Sequence, residues 1–398
     1  MKKNTSLKLP SAEKKLKNLT LHNHSRQDPY FWMRLSDKQK ESGTQDKQTQ
    51  NVLNYIKQEN TYKNKSLAHT KNFQKSLFKE ITSRIKKDDN SVPYFDNGYW
   101  YYVRYKKGQE YPLYCRKKET LKAKEDIFID VNELAKGHDY FKLAGVDIST
   151  NNTYCAFGID TVGRRIYTLH IKNLITGEIL TEEIKQTSGG YAWANDNETL
   201  FYTKKNSKTL LPEKVYRHKL GTSQQKDKLI YTEKDKRFYT GVYKSKSEKF
   251  IIIYNSATLT DDYHYLEADN PNGTFKQFIK REENHEYSIY HYKDSFYILT
   301  NWKAKNYRLM KTQINQTNKK NWKTIIKHRK DVFIGDIDIF TNHLVITERE
   351  NALQHLRVIN LKTQQDHYIN FKEPVYTVQT STNIDFDTNK LRYVFSSL

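Results

Sequence analysis

Several features that would each have pointed to a function are scarce or missing. The 398 residues hold two cysteines, Cys115 and Cys155, too few for a disulfide framework or a paired-cysteine zinc site. Both fall in predicted strands of different repeats, where a thiol reads as a small buried apolar group rather than a nucleophile. No apolar run approaches the ~20 residues a membrane-spanning helix needs. The basic start Met1-Lys2-Lys3-Asn4-Thr5-Ser6 is not followed by the apolar stretch of a secretory signal. These absences predict a soluble, cytoplasmic chain with no membrane partner. Phosphate-loop signatures are absent. Of the fourteen glycines, no two frame a serine as Gly-x-Ser-x-Gly, the sharp strand-to-helix turn that presents the nucleophile of an α/β-hydrolase.

Acidic residues are the minority: 68 Lys and Arg stand against 46 Asp and Glu, a formal charge of +22. Clustered cations would suit nucleic acid. These run through the whole chain, with no arginine stripe and no nucleic-acid motif, so they read as solvated faces and no specific nucleic-acid partner is expected. Hydrophobic residues amount to only 36%, and 30 tyrosines and 18 phenylalanines supply much of the buriable area. Tyrosine packs its ring on a pleated face while its hydroxyl reaches an edge or water, which favours an all-β body over disorder.

What is present is a repeat. From Gly145 to Ile184 the chain alternates: Cys155, Phe157 and Ile159 share one face of a strand, and Tyr167, Leu169 and Ile171 one face of the next. A short strand at Val146–Ile148 precedes them, and a more polar one, Glu178–Ile184, follows Thr176-Gly177. Period two with turn residues between runs marks half-buried antiparallel strands. Four such strands, recurring every 40–50 residues or so, predict propeller blades. Blade one opens at Val92–Phe95, turns at Asn97-Gly98 and ends at Asp126–Val131. Blade three starts near Tyr191, blade four at Tyr239, blade five at Glu286 and blade six at Ile334. Blade seven has two strands, Tyr376–Gln379 and Leu391–Phe395, and then the sequence stops. The fold class is therefore mainly β: a seven-bladed propeller, its last blade incomplete, over residues 91–398.

Residues 1–90 differ. A polar arm containing Asp28-Pro29-Tyr30-Phe31-Trp32-Met33-Arg34 needs something large to anchor its aromatics, and Leu35 to Gln50 reads as loop. Val52, Tyr55, Ile56, Glu59 and Tyr62, then Phe73, Leu77, Ile81 and Ile85, step by three and four as on two helices. Each helix shows an apolar face that needs a partner.

Polar constellations are sparse. His285, Glu286 and His291 lie on one predicted strand and its end, with no second cluster, and read as strand-surface residues rather than metal ligands or an acid–base pair. His22 and His24 fall in the arm, in what reads as a mobile loop. Glu282 and Glu283, near a blade connection, read as a solvated face. No catalytic residue, metal ligand or cofactor-binding residue is assigned.

The run Asp28 to Arg34, with Asn51-Val52-Leu53-Asn54-Tyr55-Ile56-Lys57-Gln58-Glu59-Asn60-Thr61-Tyr62, resembles the amino-terminal signature of the prolyl oligopeptidase family. Gly98 to Tyr102, Gln109 to Arg116, Asp130 to Ala135, Asp160 to Leu169 and Arg392 to Leu398 resemble its oligopeptidase B branch in particular. The resemblance implies a cytosolic serine peptidase that cleaves short peptides after Arg or Lys. Its propeller would cap an α/β-hydrolase domain, and the arm and helices would pack on that domain. The catalytic domain should follow the propeller, and with no Gly-x-Ser-x-Gly in this sequence no triad residue is carried over. The leading expectation is a truncated or split form, inactive alone, whose partners are a missing or separately encoded hydrolase domain and short basic peptides. The alternative is a stand-alone propeller acting as a binding scaffold.

Overall fold

The computed structural model describes residues 7–398. Backbone contacts divide it into an N-terminal unit reaching to Lys86 and a second unit, Lys87–Leu398.

In the first unit, β1 (Lys17–Leu21) and β2 (His24–Asp28) pair antiparallel with Leu21 opposite His24. The two residues between them, His22 and Asn23, take φ of 52° and 60°, the left-handed pair that a two-residue hairpin turn requires. His22 and His24 therefore belong to a hairpin, not to a mobile loop. The loop expected from Leu35 to Gln50 is also corrected. Ser36 and Gln39 form a capping box that starts α1 (Asp37–Glu41), and Asp46 caps α2 (Lys47–Ser66) through the Thr49 amide at 2.7 Å. The arm's aromatics are anchored here: Trp32 donates from Nε1 to the Glu13 carbonyl at 2.8 Å, and its own carbonyl accepts from Gln48. Thr49 and Val52 are buried and Tyr55, Glu59 and Tyr62 half-buried, so α2 turns most of the expected stripe inward, while Ile56 stays exposed. On α3 (Lys71–Ser83) the apolar stripe stays bare: Phe73, Leu77, Phe78 and Ile81 are all exposed, and so is Ile85 just beyond the helix.

The second unit is a seven-bladed propeller. Blades four, five and six are four-stranded antiparallel sheets beginning at Tyr239–Lys244, Tyr287–Tyr292 and Val332–Ile339. Blade one pairs both Asp89–Asn90 and Tyr94–Asp96 against Tyr99–Tyr105, around the Asn97-Gly98 turn. Blade seven has two strands, Tyr376–Thr380 and Tyr393–Ser397. Between blades two and three the structure departs from expectation. Glu178–Ile184 is not a strand; only Ile179 bridges Lys172. Its place is taken by Ile184–Trp193, whose first half pairs with Tyr167 and Leu169 and whose second half pairs with Leu200 to Tyr202 in blade three. One ten-residue strand thus joins the two blades into a seven-stranded sheet. Gly189, at φ +89°, bends it, and a Cβ on Gly145 would meet the Gly189 carbonyl oxygen at 2.1 Å, so only glycine fits at that crossing.

The core lies between blades. Successive sheets press aromatic and branched side chains together at each junction from one–two to six–seven, for example Phe250, Tyr265 and Phe296 between four and five. Strands are therefore covered on both faces, which corrects the half-buried reading: Cys155, Ala156 and Phe157 are all buried. At the seven–one junction the tie is polar. Arg392 of blade seven donates to the carbonyls of Pro93 and, at 2.8 Å, Val92, between the two inner pieces of blade one.

The turns joining the first and second strand of each blade lie on one rim, and hydrogen bonds run from each to the next. Asn152 donates to the Asn97 carbonyl at 2.7 Å, Asn197 accepts from the Asn151 amide at 2.9 Å, and Asn195 donates to the Glu248 carbonyl at 3.1 Å. Ser247 meets His291 at 2.7 Å, Tyr292 donates to the Thr341 carbonyl at 2.9 Å, and the Thr341 amide donates to Phe386 of blade seven at 2.9 Å.

Candidate functional site

The first strands of blades one to six line a central channel, with Asn383 and Ile384 from the loop after blade seven's first strand, and period two sends alternate side chains toward it. Two joined cavities, of about 410 and 580 Å³, follow the axis and share Tyr243, Lys244, Ser245, Lys246 and Ile384. Their walls take Asp96 from blade one, Asp147 from two, Tyr191 and Trp193 from three, Ser288 and Tyr290 from five, and Asp336 and Asp338 from six.

Charge in this channel is unevenly answered. Lys246 Nζ pairs with Asp338 at 2.6 Å and sits 3.6 Å from the centre of the Phe340 ring. Asp336 accepts from the Tyr290 hydroxyl at 2.6 Å. Asp96 and Asp147 close no salt bridge among the described residues; Lys244, whose charge both feel, instead donates to Thr150 Oγ1 at 2.6 Å and Asn195 Oδ1 at 3.1 Å. Burial, with Glu248 nearby and Lys244 opposing, pushes the Asp96 carboxyl up to about 6. Burial pushes Asp147 further, to about 7, against the pull of Lys244. Burial also holds both lysines below their ordinary value. In a chain of net charge +22, the axial cavity is thus a place where two half-buried carboxyls close no salt bridge. Such a site can hold a guanidinium or ammonium group, whose arrival would favour the charged form of both acids.

Of the histidines singled out in the sequence, His285 lies outside this channel and His291 at its wall, and both serve the packing between strands. His285 and His291 are buried, not on a strand surface. His285 hydrogen-bonds Thr300 at 2.8 Å and stacks on Tyr287, and burial pushes its imidazole down to about 4. His291 links Ser247 and packs against Phe250. Both strand faces are covered by neighbouring blades, so period two could not tell outside from inside. Glu282 pairs with Lys319 at 2.7 Å and Glu283 with Arg237 at 2.8 Å, both glutamates exposed. No group of three or more metal-ligating side chains occurs among the described residues. The channel acids went unread, although a signal existed: Asp336 and Asp338, two apart in an otherwise apolar inner strand, mark a polar face where a core face was expected.

The chain matches the model of the prolyl oligopeptidase N-terminal β-propeller domain over residues 10–398. It is 35% identical to dipeptidyl aminopeptidase BI of Pseudoxanthomonas mexicana over 95% of this chain and 53% of that protein. It is 28% identical to Protease 2 of Moraxella lacunata over 98% and 56%. The solved oligopeptidase B of Leishmania major superposes with a TM-score of 0.89 at 25% identity, covering 99% of this chain and 58% of that one. The chain spans about half the length of the curated relatives it matches. No helix among the described residues is long and apolar enough to cross a membrane.

Proposed function

The chain belongs to the prolyl oligopeptidase family, and from that premise we propose that it gates short basic peptides for an α/β-hydrolase domain that cleaves after Arg or Lys. It is the propeller portion of an oligopeptidase B-like serine peptidase and contains no nucleophile elbow of its own. The observation that carries the substrate reading is the channel, where Asp96 and Asp147 face a cavity with no cation of the protein's own paired to them. The bare stripe of α3 is the surface a hydrolase domain would cover. Without that domain the chain is inactive. A cytoplasmic setting suits the two free, buried thiols of Cys115 and Cys155.

The test joins this chain to the hydrolase half of the Pseudoxanthomonas mexicana relative, in one polypeptide or as two mixed chains. The expected result is serine-inhibitor-sensitive cleavage of an Arg- or Lys-ended reporter by the joined protein and none by this chain alone. Cleavage by the chain alone would overturn its inactivity; equal turnover of neutral and basic reporters would overturn the substrate reading. A scaffold reading draws on the rim, which ties blade seven back to blade one through Arg392. It predicts cooperative melting of the lone chain and a peptide partner bound without any hydrolase.

A further inference from the structure

Among the rim turns, that of blade four is set apart by where its side chains reach. A hairpin turn between antiparallel strands ordinarily projects into water, as Lys293 and Asp294 of blade five do. Ser245 is buried, as Ser149 and Ala194 are at the same place in blades two and three, and Lys246, Ser247 and Glu248 are half-buried and line the axial cavity. Its side chains reach across the ring as well as to the adjacent blades. Lys246 skips blade five to pair with Asp338 at 2.6 Å, and Glu248 accepts from Asn97 of blade one at 3.3 Å. The left-handed position of the turn repeats the argument. Asn97, Asn152 and Asn197 fill it in blades one to three, with φ of 42°, 59° and 57°, whereas blades four and five place the longer Glu248 and Lys293 there at 55° and 54°. Asparagine tolerates that conformation better than glutamate does, so the longer acid is held at some local strain and used for its reach.

We propose that the turn Ser245–Glu248 is a plug over one mouth of the axial channel, latched shut by the Lys246–Asp338 pair. Solutes reach the channel wall through this mouth when the latch parts and the turn swings outward. The role deepens the reading of the channel as a peptide path, and its test uses neither peptide nor hydrolase domain, so either can fail alone.

The reporter is Ser288→Cys, on the blade-five wall of the cavity; Cys115 and Cys155, fully buried, supply the background rate. Labelling by a small maleimide is compared with and without Lys246→Met, alongside hydrogen exchange of the blade-four turn. Breaking a half-buried ion pair should speed labelling roughly ten-fold or more and raise exchange at 245–249 alone. Asp338→Asn, which keeps the side chain's shape, should do the same, so a folding failure of one variant leaves the other decisive. Unchanged labelling, whether fast or slow, would overturn the plug. So would faster exchange throughout the blades, which would make the pair a general brace.

Discussion

Buried charge is treated in two opposite ways within the propeller. At the junction of blades three and four, Arg281 is ion-paired with Glu233 and, at 2.9 Å, with Asp262, while its guanidinium lies 3.9 Å from the centre of the Phe238 ring. Between blades two and three, His218 sits 2.7 Å from Asp227 and 3.7 Å from Glu182, with the Tyr202 hydroxyl donating to Asp227. Both are closed sets, each charge answered by the protein. In the axial channel Asp96 and Asp147 are half-buried and close no salt bridge among the described residues. A group that the fold satisfies serves the fold; one that it leaves without a countercharge costs the lone chain stability.

The comparison breaks most sharply at Arg281. Replacing it with Met leaves Glu233 and Asp262 as uncompensated acids with 8% and 1% exposure, and stability should fall by about 3–5 kcal/mol in urea melts. A loss below ~1 kcal/mol would show that the network is solvated. His218 comes next. Burial alone would push its imidazole down, but the hydrogen bonds to Asp227 and Glu182 outweigh it and push it up to about 9. A raised folded-state value stabilises fully below the ordinary 6.5 and fades as pH climbs through 9. His218→Gln should therefore cost on the order of 1–3 kcal/mol at pH 6, and flatten the fall in stability between pH 6.5 and 9.

Asp147 should behave in the opposite sense. Its carboxyl is raised from 3.8 to about 7, so the folded state resists ionisation and the penalty grows from pH 4 to 7, then stays constant. Asp147→Asn should stabilise the lone chain by about 1–2 kcal/mol at pH 8 and by nothing near pH 4, while weakening the preference of the joined enzyme for basic reporters. A destabilised variant at pH 8 would place Asp147 with the closed sets.

How much of this the sequence disclosed follows from the range of the interactions. Blades were legible because strand alternation and turn chemistry are local: Asn97-Gly98 takes φ of 42° and 84°, as a tight hairpin demands. The strand joining blades two and three was not, because its course is set by Gly145 meeting Gly189 across 44 residues, a contact with no local signature. His285 and His291 were placed on a surface because alternation assigns faces but not what covers them. The channel acids escaped for a related reason. Which face of an inner strand looks onto the axis is decided only when the ring closes, so Asp96, Asp147 and Asp338, from three blades, never look like neighbours in sequence.

The smallest expected effect on the isolated chain extends the comparison to apolar groups. Phe78 on α3 is 70% exposed, so the fold gains little from it, just as it gains nothing from the Asp147 charge. Phe78→Ser should shift the melting of this chain by no more than ~0.5 kcal/mol, because almost no area returns to water. If the stripe of Phe73, Leu77, Phe78 and Ile81 is covered by a hydrolase domain, the same change removes a ring that would be buried there, and a fully buried Phe contributes ~1.5–3 kcal/mol. Complementation by a separately purified hydrolase domain should then fall about ten-fold or more in apparent affinity. Equal complementation by both proteins would mean that the stripe faces water in the assembled enzyme too. The proposal that what this chain leaves unsatisfied belongs to its partners would then hold for its charges and not for its apolar surface.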